Sequence, residues 1–531
     1  MSVFANRAAF LVLVCFFEEW KVVDSSRVLV VSPSPIHSHQ VPFQALTKEL
    51  LRRGHHVTIL TTDPIYPPGQ ASQNITEIDL NDVSYKFWTD GFRKVHLKPG
   101  NPNDFKNQIK TAYDVMYDLF PKQMKTEAVR DLLADKTQKF DLVIIEAWVY
   151  QASALAHIYN APAILMSTMG IEDELYEDAG VPIHPIIYPD VCYTRRYNLL
   201  LWEYVKNLYN RVKMHYMQKS LIEKQDMRIK EMFGADMPSV REMRGEAVAH
   251  LVSLDPMWEG YRPLSLKIVH IGGLHVPPPK ELPKDIKSLM DSSKHGVIYM
   301  SFGSQMRPAV LPAERLEIFV RVFSTLPYDV ILKSKGDGPA FPSNVHIFSW
   351  LPQPDLLRHE KLLLFITQGG LQSTEEALRA GIPLLGIPLM LDQWLNVENY
   401  ERLGVGLGLD LHTLSETQLR ETIDKLINDK RYRDNSIRVG REMQDQPQTS
   451  LQRAVWCAER AMRLHGRQMP TPPPPLTWDG ILETLMLAIL IFPLLIMLGA
   501  IFVYRMLRSL ALKVLRVCKR LAMRERRSSS F

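Results

Sequence analysis

The stretch LLLFITQGGLQSTEEALR, residues 362–379, passes from an apolar run through two adjacent glycines into an amphipathic segment. Its pattern predicts a strand at residues 362–366 and a helix at residues 373–379. A strand that ends in a glycine turn and opens into a helix points backbone N–H groups and the positive end of the helix dipole toward an anion. Taken alone, the turn predicts either a diphosphate site or a tight turn with a purely structural role.

Short β-rich runs alternate with helix-length amphipathic runs on both sides of this stretch, as in α/β folds with parallel sheets. The predicted strands are residues 28–31, 57–61, 142–145, 164–166, 248–251 and 268–271, then 297–302, 329–332, 345–348, 362–366 and 384–387. The predicted helices are residues 43–53, 198–232, 312–325, 373–379, 393–403, 416–428 and 431–443. Three prolines at 277–279 separate the two series. The sequence therefore predicts two Rossmann-like domains facing a cleft.

The two ends of the chain are predicted to carry a targeting signal and a membrane anchor. Residues 8–17 form an apolar run of the length of a signal-peptide core; the alternative is a buried element of the first domain. Residues 485–504 are uncharged and long enough to cross a bilayer, with a core helix as the alternative. The predicted divisions are a signal peptide at 1–25, domains at 26–280 and 281–468, a Pro-rich spacer at 469–480, a transmembrane helix at 481–504 and a basic cytoplasmic tail at 505–531.

The net charge of +5 comes from the C-terminal tail. Residues 505–531 contain nine cations and one acid, so the tail contributes +8 and the rest of the chain carries −3. A body without excess positive charge has no electrostatic footprint for nucleic acid, which excludes that class of partner. Positive charge directly after an apolar span places the tail in the cytoplasm and the body in the lumen.

Two cysteines, Cys192 and Cys457, fall within the predicted lumenal body. They either pair in an oxidising compartment or remain as two buried thiols, and the sequence leaves both alternatives open. Asn74 begins an Asn-Ile-Thr glycosylation sequon, which gives weak support to the lumenal location.

A longer signature surrounds the glycine turn. It comprises WLPQ at 350–353, FITQGGLQSTEEA at 365–377, GIP at 381–383, Pro388 and DQ at 392–393. Over this span the chain resembles the nucleotide-sugar signature of the UDP-glycosyltransferase family, and membrane-bound insect members are the most similar. The resemblance extends over essentially the whole chain. It implies a GT-B fold with one C-terminal transmembrane helix, acceptor binding by 26–280, UDP-sugar binding by 281–468, inversion at the anomeric carbon, and no cofactor or metal besides the UDP-sugar co-substrate.

The same resemblance assigns roles to individual donor-site residues. The expected contacts are Trp350 with the uracil, Gln353 and Glu376 with the ribose hydroxyls, Gly370, Gln372, Ser373 and Ser304 with the diphosphate, and Asp392 and Gln393 with the sugar hydroxyls. These roles suit an aromatic face, hydroxyl-binding carboxylates and amides, and a small hydroxyl near a helix start. Gln368 stands where many members have histidine, so it offers the diphosphate a neutral amide N–H, and leaving-group stabilisation rests more on the helix dipole.

A second group of residues, Ser38-His39-Gln40, follows the first predicted strand. Attack by a hydroxyl on an anomeric carbon needs a base near neutral pH, and imidazole has an ordinary pKa of about 6.5. His39 matches the family's catalytic histidine, although the residues alone also allow a loop histidine, and His37 is close enough to be its alternative. Glu146 stands at the position of the family's orienting carboxylate, typically Asp, with one more methylene of reach.

Together these expectations describe an inverting UDP-glycosyltransferase that transfers a hexose, with glucose favoured, to a hydroxyl of small lipophilic acceptors in conjugation and detoxification. The alternatives are a UDP-glucuronosyltransferase and an inactive lumenal binding protein of the same fold. No Asp-x-Asp pair or His/Cys cluster has metal-ligand spacing. The predicted location is the endoplasmic reticulum membrane, single-pass type I with lumenal catalytic domains. Acceptor identity lies in residues 65–107 and 170–233, and the acceptor itself and any homo- or hetero-oligomer stay open.

Overall fold

The structure is a computed structural model of the chain. It describes residues 25–95, 98–170, 173–181, 183, 195–260, 262–263, 265–303, 311–334, 340–465 and 478–528. The predicted signal peptide before Ser25, most of the Pro-rich spacer, the donor-site candidate Ser304 and the cysteine Cys192 therefore lie outside the described residues.

The first sheet contains seven parallel strands. They are β1 (Arg27–Ser32), β2 (His56–Thr61), β3 (Ile75–Asp79), β4 (Leu142–Glu146), β5 (Ala163–Ser167), β6 (Ala249–Val252) and β7 (Ile268–His270). Their order across the sheet is β3-β2-β1-β4-β5-β6-β7. The strand order reverses between β1 and β4, where Val31 is level with Ile145. The carboxyl ends of strands open a ligand crevice at such a switch point.

The second sheet repeats this arrangement with six parallel strands. They are β8 (Val297–Ser301), β9 (Asp329–Lys333), β10 (Val345–Phe348), β11 (Leu362–Thr367), β12 (Leu384–Gly386) and β13 (Gly406–Gly408), in the order β10-β9-β8-β11-β12-β13. Its switch point lies between β8 and β11, where Ser301 is level with Thr367. The predicted donor-site turn follows β11 directly, so it begins at this crevice.

Helices connect the strands of both sheets. The described helices are α1 (His37–Arg52), α2 (Asn81–Lys94), α3 (Phe105–Met124), α4 (Glu127–Ala134), α5 (Ser153–Ile158), α6 (Asp173–Asp178), α7 (Leu201–Phe233), α8 (Val240–Gly245), α9 (Pro256–Glu259), α10 (Lys284–Ser292), α11 (Ala313–Phe323), α12 (Gln353–Leu357), α13 (Leu371–Arg379), α14 (Gln393–Leu403), α15 (Glu416–Asn428), α16 (Lys430–Gln444), α17 (Ser450–Arg463) and α18 (Trp478–Ser528). The alternation of strands and helices confirms the predicted α/β class with two Rossmann-like sheets.

Every predicted strand is present, with both ends within one residue of the prediction. The apolar pattern missed two strands. Strand β3 lies at the edge of the first sheet, where only Ile75 and Ile78 are buried, and β13 is a three-residue strand with glycine at both ends. Neither strand carries the continuous apolar run that marked the others.

The predicted start of the first helix at residue 43 is wrong, because α1 begins at His37. Pro42 had indicated a break, since proline inside a helix removes a backbone donor. The helix nevertheless continues through Pro42, and the carbonyl of Ser38, four residues earlier, accepts a hydrogen bond from the Gln372 side chain at 2.6 Å instead. His39 therefore stands in the first turn of a helix and not in a loop.

Each sheet has its own hydrophobic core. The core of the first sheet combines residues of β1, β2, β4 and α1 with the buried face of α17, including Val455 and Met462. Helix α17 follows the second sheet in the chain and falls within the predicted domain 281–468, yet it packs on the first sheet. The predicted domain boundaries stay a prediction.

Helix α18 belongs to a second compact unit, separate from the one that holds both sheets. Among the described residues, Ile491–Arg520 is the one helical segment that is long and apolar enough to cross a membrane, by length and composition, and its most apolar 18-residue stretch has a mean hydropathy of 1.8. Pro493 lies inside the helix, which continues through the basic segment as far as Ser528.

Candidate active site

The end of β4 and the first turn of α1 bring a histidine and a carboxylate together at the first switch point. His39 Nδ1 lies 2.8 Å from Glu146 Oε1, and both side chains are buried. The same carboxylate accepts hydrogen bonds from the Ser34 hydroxyl at 2.5 Å, the Ser34 backbone N–H at 3.2 Å and the Trp148 indole N–H at 2.8 Å. Because Nδ1 faces the carboxylate, the ring proton belongs on Nδ1 and Nε2 is left as the basic nitrogen.

The alternative histidine, His37, belongs to a different group of side chains. Its Nδ1 lies 3.6 Å from Asp63 Oδ1, and the Tyr85 hydroxyl donates to Asp63 Oδ2 at 2.7 Å. Burial alone would raise the pKa of Asp63, but the hydrogen bonds from His37 and Tyr85 hold it below its usual value. The edge of the His37 ring contacts Trp350 on the donor side, with ring centroids 5.5 Å apart.

The glycine turn after β11 has the geometry that its sequence indicated. Gly369 has φ +88°, and a Cβ there would lie 2.8 Å from Val397 Cγ2 and 3.1 Å from the Gln393 carbonyl oxygen. Gly370 caps α13, which begins at Leu371, two residues before the predicted start. The first N–H groups of α13, which have no hydrogen-bond partner within the helix, therefore lie directly beside the turn.

Three of the predicted donor-site residues share one hydrogen-bond network. Gln353 Nε2 donates to the Ser373 hydroxyl at 2.9 Å and to Glu376 Oε2 at 2.7 Å. The Tyr299 hydroxyl, which sequence reasoning missed, donates to Gln353 Oε1 at 2.9 Å and so fixes the orientation of the amide. The structure therefore brings together the residues predicted for the ribose and one predicted for the diphosphate.

The predicted phosphate-side amides Gln372 and Gln368 lie in different surroundings. Gln372 Nε2 donates to the carbonyl of Ser38, the neighbour of His39, and thereby links α13 to the first turn of α1. Gln368 Nε2 lies against Gly303, where an added Cβ would be 2.6 Å away. Gln368 Oε1 is buried without a hydrogen-bond partner in the part of the chain described.

Asp392 and Gln393 stand at the start of α14. Asp392 Oδ2 accepts a hydrogen bond from Asn396 at 3.0 Å, and burial raises the pKa of Asp392 above its usual value against the opposing effects of Asn396 and His39. Gln393 Oε1 accepts the backbone N–H groups of Leu389 and Met390 at 2.9 and 3.0 Å. Only the amide N–H groups of Gln393 are left to meet a ligand.

The predicted uracil-stacking residue, Trp350, is 61% exposed. Lys333 Nζ lies 4.4 Å from its ring centroid, and burial lowers the pKa of this lysine. An indole that is largely exposed, with a cation on one face and the His37 ring nearly at right angles to it, suits stacking on a base.

An aromatic group that sequence reasoning missed adjoins His39. The Trp148 ring contacts His39, Trp88 and Tyr113 edge to face, with centroids 5.9 to 6.2 Å apart. The Tyr113 ring contacts Tyr150 at 5.3 Å. The spacing of Trp148, two residues after Glu146, could have indicated that it lies beside the carboxylate.

A second buried histidine, also missed from the sequence, contacts α13. His275 Nε2 lies 3.2 Å from the Gln372 carbonyl oxygen and 3.5 Å from Glu376 Oε1, and Nδ1 lies 3.7 Å from Glu375 Oε2. Burial alone would lower the pKa of His275, but Glu376, Glu375 and the Gln372 carbonyl raise it. Burial raises the pKa of Glu375 to about 7.

The described residues include no group of three or more His, Cys, Asp or Glu side chains placed to hold a metal ion. Cys457 is a buried free thiol in α17, and burial raises its pKa to about 12. Its partner in the predicted pairing alternative, Cys192, lies outside the described residues.

Comparisons with solved structures identify the fold. The chain superimposes on the spinosyn forosaminyltransferase SpnP with a TM-score of 0.56 and 18% identity, covering 83% of this chain and 100% of that one. A UDP-glucose:anthocyanidin 3-O-glucosyltransferase solved in complex with UDP gives a TM-score of 0.56 at 15% identity, covering 83% and 99%. At these identities the likeness shows the fold alone, which is GT-B.

Sequence comparisons extend to the activity. An ecdysteroid UDP-glucosyltransferase of Spodoptera littoralis nuclear polyhedrosis virus is 31% identical over 456 residues, which cover 83% of this chain and 88% of that one. A UDP-glycosyltransferase of Dactylopius coccus, UGT5, is 28% identical over 503 residues, 91% of each chain. The family model described as UDP-glucoronosyl and UDP-glucosyl transferase matches residues 26–521. The chain therefore belongs to this family of UDP-sugar-dependent glycosyltransferases.

Proposed function

We propose that the chain is an inverting UDP-glucosyltransferase that conjugates glucose to a hydroxyl of small lipophilic acceptors. The observation that carries this proposal is the 2.8 Å contact between His39 Nδ1 and Glu146 at the first switch point. Gln372, on the donor-binding helix α13, hydrogen-bonds to the backbone of the same helical turn. A base and a diphosphate-binding helix start thus adjoin one cleft.

The reaction is a single displacement. His39 Nε2 accepts the proton of the acceptor hydroxyl while the oxygen attacks the anomeric carbon, and the bond from that carbon to the UDP oxygen breaks on the opposite face. Inversion follows from this geometry. Glu146 stabilises the imidazolium that forms, and the N–H groups at the start of α13 stabilise the negative charge on departing UDP.

Glucose is the favoured donor sugar. Several of the most similar relatives are named as UDP-glucosyltransferases. Asp392 and Gln393, predicted at the sugar hydroxyls, include no cation that would pair with the carboxylate of glucuronic acid. UDP-glucuronic acid is therefore the weaker alternative.

The acceptor class follows from the aromatic group beside His39. Trp88, Tyr113 and Trp148 are buried or partly buried and offer flat apolar surfaces within reach of the base. Such a wall suits a planar or polycyclic acceptor with one reactive hydroxyl, the kind of compound that conjugation clears from a cell. An inactive binding protein of the same fold is the weaker alternative, because the His39 and Glu146 pair is intact.

The proposal can be tested with the protein expressed in microsomes. Transfer is measured from UDP-glucose, UDP-glucuronic acid and other UDP-sugars to a panel of phenols and sterols. We expect transfer from UDP-glucose, with a β-linked product identified by the coupling constant of its anomeric proton. His39→Ala is the matched control. Product formed equally by this variant, a preference for UDP-glucuronic acid, or an α-linked product would each contradict the proposal.

The proposed location is the endoplasmic reticulum membrane, with a single-pass type I topology and a lumenal catalytic body. Support comes from the apolar helix Ile491–Arg520 and the basic residues that follow the predicted span. Protease added to sealed microsomes should remove only the tail after residue 505, and detergent should expose the body. Digestion of the body without detergent would contradict this topology.

A further inference from the structure

One oxygen of the catalytic carboxylate serves three side chains at once. Glu146 Oε1 accepts hydrogen bonds from the Ser34 hydroxyl at 2.5 Å, from His39 Nδ1 at 2.8 Å and from the Trp148 indole N–H at 2.8 Å. Only the His39 bond belongs to the proton-transfer step described above. The Trp148 bond is therefore a contact that the mechanism leaves unexplained.

The Trp148 ring cannot easily turn this N–H away from the carboxylate. Three rings contact it at angles of 66° to 88°, with centroids 6.2 Å away for His39, 6.1 Å for Trp88 and 5.9 Å for Tyr113. Interior packing of this kind holds side chains in fixed orientations. The indole donor is consequently directed at Oε1 whether or not the imidazole is protonated.

Donors that share one carboxylate oxygen compete for its negative charge. A hydrogen bond to the charged form stabilises the carboxylate, and it also leaves less charge to stabilise a neighbouring cation. The stabilisation of the His39 imidazolium by Glu146 therefore depends on how many other donors Oε1 receives. A base that binds its proton less tightly remains available at lower pH.

We infer that Trp148 is a positioning residue whose indole N–H shares Glu146 Oε1 with His39 and so limits how strongly this carboxylate holds the protonated imidazole. The inference rests on the proposed function, since it assigns His39 as the base. It also makes Trp148 the point where the aromatic acceptor wall meets the proton-transfer pair.

Two carboxylates act on the His39 ring, Glu146 from β4 and Asp392 from the start of α14. The charged pair nearest in the chain, His37 with Asp63, contacts a different set of groups. Replacing Trp148 with phenylalanine changes none of these charges, but it removes part of the ring together with the indole donor. Its effect on the pH profile is therefore compared with that of a variant that alters the same aromatic group without touching Glu146, and with that of an analogue that keeps the bicyclic shape.

The test measures kcat/KM for an alcohol acceptor, which does not titrate, against pH from 5 to 9 at saturating UDP-glucose. On the acidic side of this profile kcat/KM falls with decreasing pH, and this part of the curve is called the acidic limb. In Trp148→Phe we expect the midpoint of the acidic limb to shift to a higher pH by about 0.5–1 unit. Trp88→Phe is the matched control, because it alters the same aromatic group but removes no hydrogen bond to Glu146, and its limb should stay at the wild-type position. An unmoved or lowered limb in Trp148→Phe would overturn the inference.

A second variant guards against loss of folding. Incorporation of 3-benzothienylalanine at position 148 keeps the bicyclic shape and replaces the N–H by sulphur, and it should move the acidic limb in the same direction. A different result would contradict the proposed function. If His39 is not the base, the acidic limb would persist in His39→Ala, whatever the result for the Trp148 variants. A limb that disappears in His39→Ala and is unaffected by either Trp148 variant would contradict the inference alone.

Discussion

Two buried histidines lie beside glutamates, His39 in the first turn of α1 and His275 beside α13, the proposed donor-binding helix. His39 Nδ1 is 2.8 Å from Glu146, which accepts four hydrogen bonds from its described surroundings. His275 Nδ1 is 3.7 Å from Glu375, which accepts one, from the Gly273 N–H, and whose Oε1 has no partner in the part described. The same two residue types therefore stand in opposite electrostatic surroundings.

The difference teaches what a buried His and Glu pair is suited to do. Donors directed at a carboxylate favour its charged form, so Glu146 is arranged to stabilise a cation as it forms. Burial with few donors favours the neutral acid, and the pKa of Glu375 accordingly rises to about 7. The first pair suits proton transfer, whereas the second joins the chain after β7 to α13.

The largest expected effect is a loss of kcat on substitution of His39 or Glu146. His39→Ala should lower kcat by at least about 10²-fold, the usual scale for a positioned base, while the affinity for UDP stays unchanged. Glu146→Gln keeps a neutral acceptor for His39 and should cost less, about tenfold or somewhat more. Steady-state kinetics with calorimetric UDP titration measure both. A His39→Ala enzyme with near wild-type kcat would remove this pair from the mechanism and end the comparison.

Gln368 extends the comparison to a neutral buried group with an unpaired oxygen. Gln368→Ala should lose a hydrogen bond to the diphosphate of about 1.5–3 kcal/mol, seen as a drop of roughly 10- to 100-fold in kcat/KM for the UDP-sugar. Gln368→His should retain activity and add a titration to the pH profile, since imidazole ionises near neutrality. An unaffected Gln368→Ala enzyme would mean that the side chain faces away from the diphosphate.

Local patterns were sufficient to predict most of the fold, whereas the candidate site residues came largely from the family resemblance. Apolar runs predicted the buried strands to within one residue, and the glycine turn predicted the start of a helix beside β11. The roles predicted for His39 and Glu146 came from the family resemblance, because the residues alone also allowed a loop histidine. The strand order places the two side by side, which explains why residues 107 apart in sequence meet.

The remaining features depend on contacts that no local pattern encodes. The continuation of α1 through Pro42 is accompanied by the Gln372 bond to the Ser38 carbonyl, 334 residues apart in sequence. His275 stands in a connecting segment, and its role becomes visible only where that segment meets α13. Helix α17 is buried in the core of the first sheet, so the chain must return to that sheet after completing the second one. The periodicity of apolar residues does not predict this return.

The donor-side pair can be tested through His275→Gln. His275 contacts the Gln372 carbonyl and Glu376. Its loss should leave the Glu376 carboxylate, which is predicted to bind the ribose hydroxyls, less firmly positioned. The KM for UDP-glucose should then rise about three- to tenfold with little change in kcat. His55→Gln is the control, because His55 is equally buried but accepts from the Ser26 N–H in the first sheet. A fall in kcat at unchanged KM would place His275 with the catalytic pair and break the comparison.

The smallest expected effect concerns stability and tests the donor-side pair through Glu375→Gln. The pKa of Glu375 is about 7 in the folded chain and 4.5 as its ordinary value, so between these pH values the folded state binds more protons than the unfolded state. The contribution of Glu375 to the free energy of unfolding is therefore fully present below about pH 4.5. It is lost as the pH rises to 7, a loss on the order of 3 kcal/mol.

The neutral amide keeps an acceptor for the Gly273 N–H and has no charge to desolvate. We therefore expect Glu375→Gln to melt within about 1 °C of wild type at pH 5.5 and about 2–4 °C higher at pH 8, for a body of this size. His275 remains in both proteins and still has Glu376 and the Gln372 carbonyl to raise its pKa, although the variant removes the smaller contribution of Glu375, so most of its own loss of folding stability at higher pH is common to both curves. Scanning fluorimetry of the detergent-solubilised chain across this range measures the difference. A constant difference in melting temperature from pH 5.5 to 8 would show that Glu375 is ionised throughout, and the contrast drawn between the two pairs would disappear.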